Sequence, residues 1–205
     1  MAAKGIGLTS ITLASILLCS PAIAEYGIED TGWFVGGFLS QAKVELKNGS
    51  TQLKTQGPMF EARGGYRFSP YFALEGGLGI TAATDSTRDQ DFDDAAVVKL
   101  SSAAKLIAPI ADHVQLYANA GLALLSYAHE TPYRSRYYSY RTTSYTGNTF
   151  LIGLGVEFEL SKNLVMRIAY DSMRGDISSD DYYTYYPDDL DVTLTQFGFG
   201  LHYQF

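Results

Sequence analysis

The last nine residues, Phe197-Gly-Phe-Gly-Leu-His-Tyr-Gln-Phe205, alternate large apolar side chains with small or polar ones and stop on an aromatic. Side chains alternate faces along a strand. Phe197, Phe199, Leu201, Tyr203 and Phe205 therefore share one face, and Gly198, Gly200, His202 and Gln204 share the other. Such an apolar face suits lipid or the core of a soluble sheet, and the rest of the chain decides between them.

Working outward, period-two alternation recurs in eight segments, at 31–45, 56–68, 71–84, 95–108, 113–127, 147–160, 163–175 and 190–205. Their connections alternate in kind. Ser69-Pro70, Pro109 to Asp112 and Ser161-Lys162 are tight, whereas 46–55, 85–94, 128–146 and 176–189 are long and polar. One trimmed end and one elaborated end is the pattern of a membrane-spanning barrel with short periplasmic turns, long extracellular loops and strands of ~9–11 residues or more. The expectation is an all-β chain: an eight-stranded antiparallel up-and-down transmembrane β-barrel with both termini periplasmic. No stretch after residue 24 approaches the ~20 apolar residues of a spanning helix.

One parity of each segment is free of charge. It runs through Trp33, Val35, Leu39, Phe60, Tyr66, Phe68, Phe72, Leu74, Leu78, Ile80, Val98, Leu100, Leu106, Leu116, Leu122, Leu124, Phe150, Ile152, Leu154, Phe158, Leu164 and Tyr170 to the closing aromatics. A Lys or Arg at the middle of a lipid face costs ~2–4 kcal/mol, so this exclusion is what lipid demands. Trp33, Tyr66, Phe68, Phe72, Phe158, Tyr203 and Phe205 gather near the tight turns, as an interfacial aromatic girdle does. The parity breaks near Thr195, where Val192 and Leu194 fall on the wrong face, which predicts a bulge or an early loop boundary there.

The other parity carries Glu61, Arg63, Arg67, Glu75, Lys99, Lys105, Glu157, Glu159, Arg167 and Asp171. Counted from the tight turns, Glu75, Lys105, Glu157 and Arg167 lie at one height, ~10–14 Å up their strands at ~3.4 Å per residue. An eight-stranded barrel holds side chains and little else, so these four are expected to pair as an interior ion-pair network.

The start of the chain sets the compartment. Lys4, the apolar run from Ile11 to Leu18 and Ala22-Ile23-Ala24 predict a signal peptide over residues 1–24, cleaved after Ala24, and a barrel over 25–205. Cys19, the single cysteine, leaves with it, so no disulfide is expected. Loss of Lys4 leaves 14 basic residues against 22 acidic ones, a balance that disfavours nucleic acid.

Residues around the tight turns also carry a family resemblance. The hairpin Glu61-Ala-Arg-Gly-Gly-Tyr-Arg-Phe-Ser-Pro-Tyr-Phe-Ala-Leu-Glu-Gly-Gly77 resembles the second hairpin of the outer membrane protein A transmembrane domain. Ala104 to Asp112, Val156-Glu157-Phe158 and Met166-Arg167-Ile-Ala-Tyr170 are similar to it as well. The resemblance implies that Glu75 pairs with Arg167 beside Lys105 and Glu157. The family's lysine on the first strand is Phe38 here, which implies a drier corner. Longer members continue into a peptidoglycan-gripping domain, whereas this chain ends at Phe205, so cell-wall tethering is not implied. The small opacity-type and accessory colonisation-factor barrels are the closer kind, and they imply a surface role carried by loops. Gly200, Tyr203 and Phe205 resemble the carboxy-terminal signal read by the barrel assembly machinery, with Gly198 where a polar residue is usual.

The loops are rich in tyrosine. The third holds Tyr133, Arg134, Arg136, Tyr137, Tyr138 and Arg141, and the fourth holds Tyr182, Tyr183, Tyr185 and Tyr186 among aspartates. Tyrosine gives broad amphipathic contact at low entropic cost and arginine anchors polar groups, so one reading is a recognition surface for host or cell-surface ligands. The other is a rigid cap, in which basic and acidic loops hold each other beside lipopolysaccharide headgroups. Surface adhesion, colonisation or envelope integrity follows as the expected role. A narrow porin, gated by rearrangement of Glu75, Lys105, Glu157 and Arg167, is the alternative. An enzyme, such as a lipid-modifying one, is disfavoured, because His113, His129 and His202 do not assemble a nucleophile, base and orienting acid. Neither acidic cluster, Asp89 to Asp94 or Asp180 to Asp191, has the spacing of a calcium loop, so no metal and no cofactor is expected.

Overall fold

The computed structural model describes residues 31–48, 51–83, 85–86, 95–133, 139–179 and 189–205. The predicted signal peptide, both acidic clusters apart from Asp189 and Asp191, and Arg134, Arg136, Tyr137, Tyr138, Tyr182, Tyr183, Tyr185 and Tyr186 lie outside these residues.

Eight long strands form the wall: β1 Gly32–Asn48, β2 Thr51–Ser69, β3 Phe72–Ala83, β4 Ala95–Ala111, β5 Val114–Tyr133, β6 Ser139–Glu159, β7 Leu164–Ser179 and β8 Asp189–Gln204. Each pairs antiparallel with its neighbours in sequence, and a two-residue segment, Asp85–Ser86, adds a short pairing to β2. β8 closes on β1 over a ladder from Phe34↔Gln204 to Lys47↔Asp191. Closure removes the free edges an open sheet would expose. The described residues contain no helix long and apolar enough to cross a membrane, and the barrel crosses with strands instead.

The charge-free parity points outward. Trp33 is 65% exposed, and Phe60, Ile80, Leu106, Leu122, Leu154 and Phe199 are similarly bare. At the end with the tight turns, Trp33, Tyr66, Phe68 and Phe72 form a chain of ring contacts with centroids 4.9–5.8 Å apart, and Tyr203 meets Phe205 at 5.1 Å. Outside water these exposed apolar side chains cost nothing, so the belt marks the lipid-facing zone.

Three sequence expectations need correction. Val192 and Leu194 do not mark a bulge or a loop boundary. β8 pairs with β7 and with β1 in unbroken register, and both side chains point inward, with Leu194 fully buried. The parity holds and the chemistry inverts: above Gln196 the barrel is apolar inside and polar outside. The expected loops are also shorter than their polarity suggests, because Asn48 pairs with Thr51, Tyr133 with Ser139 and Ser178 with Asp189. Lys54, Ser144, Asp176 and Ser178, read as loop, are exposed strand residues. Finally, the second tight turn is Asp112-His113, with Pro109 inside β4 beside an irregularity between Pro109 and Ala111. Proline is tolerated at strand ends and bulges, where its missing N–H leaves no ladder bond unmade.

Candidate functional site

The barrel interior is stacked in storeys from the turn end to the loop end. At the turn end, Arg67 donates to the carbonyl of Pro70 at 2.8 Å and to Gln115 at 3.2 Å, and Gln115 donates to Glu159 at 2.9 Å. His113 faces Glu159 at 3.4 Å on the surface.

The next storey brings together Glu75 on β3, Lys105 on β4, Glu157 on β6 and Arg167 on β7. Arg167 grips Glu75 bidentately, Nη1 to Oε1 at 2.8 Å and Nη2 to Oε2 at 2.7 Å, while its Nε donates to Glu157 at 3.0 Å. Lys105 donates to the same Glu157 oxygen and lies 4.0 Å from Glu75. The planar fork of Arg167 suits two carboxylates at once, as a lysine's point charge would not.

A further storey lies above, and counting residues from the tight turns does not bring its members together. Arg63 on β2 donates to Glu61 at 2.8 Å and to Asp171 at 2.7 Å, and reaches down to Glu75 at 3.4 Å, which links the two storeys. Lys99 is fully buried, 2.6 Å from Glu61. Gln196 donates to Glu61 and Asp171 and accepts from Lys99, and Asn119 donates to Asp171. Together the two storeys hold four acids and four bases, so the buried charge balances.

Phe38 fills the corner where the family resemblance places a lysine. Its ring is fully buried, with the Arg63 guanidinium 4.0 Å from the centroid. Gly200 makes room for it: a Cβ there would lie 2.9 Å from the Phe38 ring. Lys105 likewise sits 4.3 Å over the Tyr117 ring. These faces give the cations a negative surface without adding an ionised group. His202, 5.3 Å from the Phe34 ring, is also interior.

Above the charges the interior turns apolar. Val44, Leu46, Met59, Val97, Leu125, Tyr127, Tyr145, Leu151, Met173, Ile177, Val192 and Leu194 belong to one buried cluster. Among the charged residues, the cavity bounded by Glu61, Glu75, Lys99, Ser101, Asn119 and Asp171 is about 10 Å³. That is room for about one water molecule.

The wall continues past the lipid belt. About eight further residues of β1, β2, β5 and β7 extend toward the loop end, which at ~3.3 Å per residue and ~40° tilt is ~20 Å of height. On its outside Glu45 bridges Lys43 at 2.9 Å and Lys54 at 3.5 Å, and the Lys43 hydrogen bond holds its carboxyl below the usual range. Tyr133 and Arg141 lie on the backbone ladder of the β5–β6 hairpin, with Thr131 opposite Arg141.

A closed barrel with a bare apolar belt and a charge-balanced interior is the architecture of outer membrane proteins, and residues 10–205 match the family model for the outer membrane protein beta-barrel domain. The chain belongs to that family. No curated protein matches it. Among solved structures, Neisserial surface protein A is similar at 16% identity over 86% of this chain and 100% of that one, with a TM-score of 0.56. OprG from Pseudomonas aeruginosa follows at 12% identity over 88% and 100%, TM-score 0.54. Ail, the attachment invasion locus protein of Yersinia pestis, in complex with the heparin analogue sucrose octasulfate, gives 18% over 85% and 99%, TM-score 0.50. At these identities the likeness is one of fold. As in other members, this is an outer membrane barrel, and a buried salt-bridge network runs through its centre.

Proposed function

We propose that this barrel is a non-enzymatic pedestal that lifts tyrosine-rich hairpins off the outer membrane for adhesion. In this reading the tight turns and both termini face the periplasm. The observation that carries it is the double closure of the interior, by paired charges in the membrane and by an apolar core above them. A barrel closed twice has no use for its lumen, while ~20 Å of wall beyond the lipid belt supports a role at the loop end. Among the described side chains, His202 packs on Phe34 and His113 lies against Glu159, and neither is set beside a nucleophile.

The third loop and its flanks combine Tyr133, Tyr137 and Tyr138 with Arg134, Arg136 and Arg141, so a sulfated glycan is the ligand class whose charge it complements. The complex of Ail with a heparin analogue makes that class a reasonable first probe. Replacing Arg134, Arg136 and Arg141 by Ser is expected to abolish retention on immobilised heparin and to reduce adherence to host cells, with the heat-modifiable folded form intact. Unchanged retention and adherence would remove the adhesion reading.

A further inference from the structure

Beyond the loops, the outer wall carries a charge asymmetry just above the lipid belt. Two cross-strand rows run over β7, β8, β1 and β2. The lower is Ser172, Thr195, Lys43 and Gln56, and the upper is Arg174, Thr193, Glu45 and Lys54. All eight face outward, and Lys43 and Lys54 are 47% and 46% exposed. The rows hold three bases against one acid. A third row, Asp176, Asp191, Lys47 and Gln52, lies farther from the belt.

On the other half of the wall the outward positions at this level are Ala96, Ser126, Ala128, Ser144, Thr146 and Asn148, and among the described side chains of β3–β6 there none is charged. Directly below the basic rows lie Tyr170, Phe197, Gln41 and Pro58, and one row farther down Phe199, Leu39 and Phe60 continue the bare apolar surface that Tyr170 and Phe197 begin. One side of the barrel thus offers an acyl-chain floor and, above it, two rows in which hydroxyls stand level with ammonium and guanidinium groups.

We propose that this face is a docking site for the phosphorylated glucosamine headgroup of one lipopolysaccharide molecule. Lys43, Lys54 and Arg174 hold phosphate, Thr193 and Thr195 hydrogen-bond the sugar, and the acyl chains lie on Phe197, Leu39 and Phe60. Glu45 orients both lysines and also sets the register, because an anion must approach from above or below it rather than through it. Phosphate needs charge-assisted donors, and three long flexible side chains around two small hydroxyls leave space for a bulky headgroup. The inference rests on the orientation proposed above, with the loop end outward.

The test is native mass spectrometry of the folded barrel in detergent with bisphosphorylated lipid A, dephosphorylated lipid A and phosphatidylglycerol. Wild type is expected to retain one bisphosphorylated lipid A. The triple variant Lys43→Gln, Lys54→Gln, Arg174→Gln is expected to bind it at least tenfold more weakly while keeping heat-modifiable migration, and Lys162→Gln at a tight turn is expected to bind it like wild type. Lys43→Arg with Lys54→Arg should restore retention even if the triple variant folds poorly. Equal binding by the triple variant, or equal retention of phosphatidylglycerol or dephosphorylated lipid A by wild type, overturns the site. Labelling of Lys47→Cys on intact cells by a membrane-impermeant maleimide checks the orientation separately: no labelling sinks the orientation, whereas labelling with unchanged lipid binding sinks this inference alone.

Discussion

Substituting Glu75→Gln tests whether the interior charges act as one balanced unit. Glu75 accepts two short bonds from Arg167 and a longer one from Arg63, with Lys105 at 4.0 Å. Glutamine keeps the volume and one acceptor but removes the charge, leaving four buried bases against three acids. Removing one partner of a buried ion pair costs ~3–5 kcal/mol, because the remaining charge loses its compensation away from water. Glu75→Gln is therefore expected to lower unfolding free energy by about that amount. The readout is urea unfolding in phospholipid vesicles followed by emission of Trp33, the single tryptophan, which faces lipid in the folded barrel. Adding Arg167→Gln restores the balance at three against three and leaves Lys105 on Glu157. The double variant should then lose about 2–3 kcal/mol less than the sum of the singles, within the range for contacting groups. Additivity to within ~0.5 kcal/mol, or a Glu75→Gln loss below ~1 kcal/mol, would refute the idea of a coupled network.

Conductance tests the upper closure. In planar bilayers Glu75→Ala alone is expected to leave conductance at the wild-type level, because the apolar core above the ion pairs still excludes water, whereas Glu75→Ala with Leu194→Ser should raise it. A rise with Glu75→Ala alone would favour the narrow-porin alternative. The edge of the lipid belt is open to a second measurement. Leu154→Arg in the belt should cost ~2–4 kcal/mol in vesicle unfolding, and Thr195→Arg just above it ~0–1 kcal/mol. Equal costs would move the boundary.

Much of the fold is readable from period-two alternation alone, since a lipid face cannot hold charge and every strand from Trp33 to Phe205 obeys that rule. Counting from the tight turns also puts Glu75, Lys105, Glu157 and Arg167 at one height, because turn position and rise per residue are local quantities. What counting misses is register. Arg63 and Glu61 on β2, Lys99 on β4, Asp171 on β7 and Gln196 on β8 come from four strands, and their meeting depends on the stagger around the closed wall. Val192 and Leu194 mislead for another reason. Reading them as a break assumes one solvent outside along the whole strand, whereas the wall passes from lipid to water near Thr195. Asn48 to Thr51 is hidden by the same assumption, since polar outward residues above the belt look like loop.

The inversion near Thr195 also bears on how the barrel gets into place. Lys43, Glu45, Lys54, Arg174, Asp176 and Asp191 stand on the outside of the finished wall beyond the belt. If insertion proceeds from the turn side, each must pass through hydrocarbon before it reaches water again. At ~2–4 kcal/mol for a basic group at midplane, and less for an acid, a concerted passage raises a barrier on the order of 10 kcal/mol. The same exterior charges that suit the finished protein to its surface thus make its spontaneous entry slow and steeply dependent on bilayer thickness. A thinned or locally opened membrane becomes a kinetic requirement of the sequence.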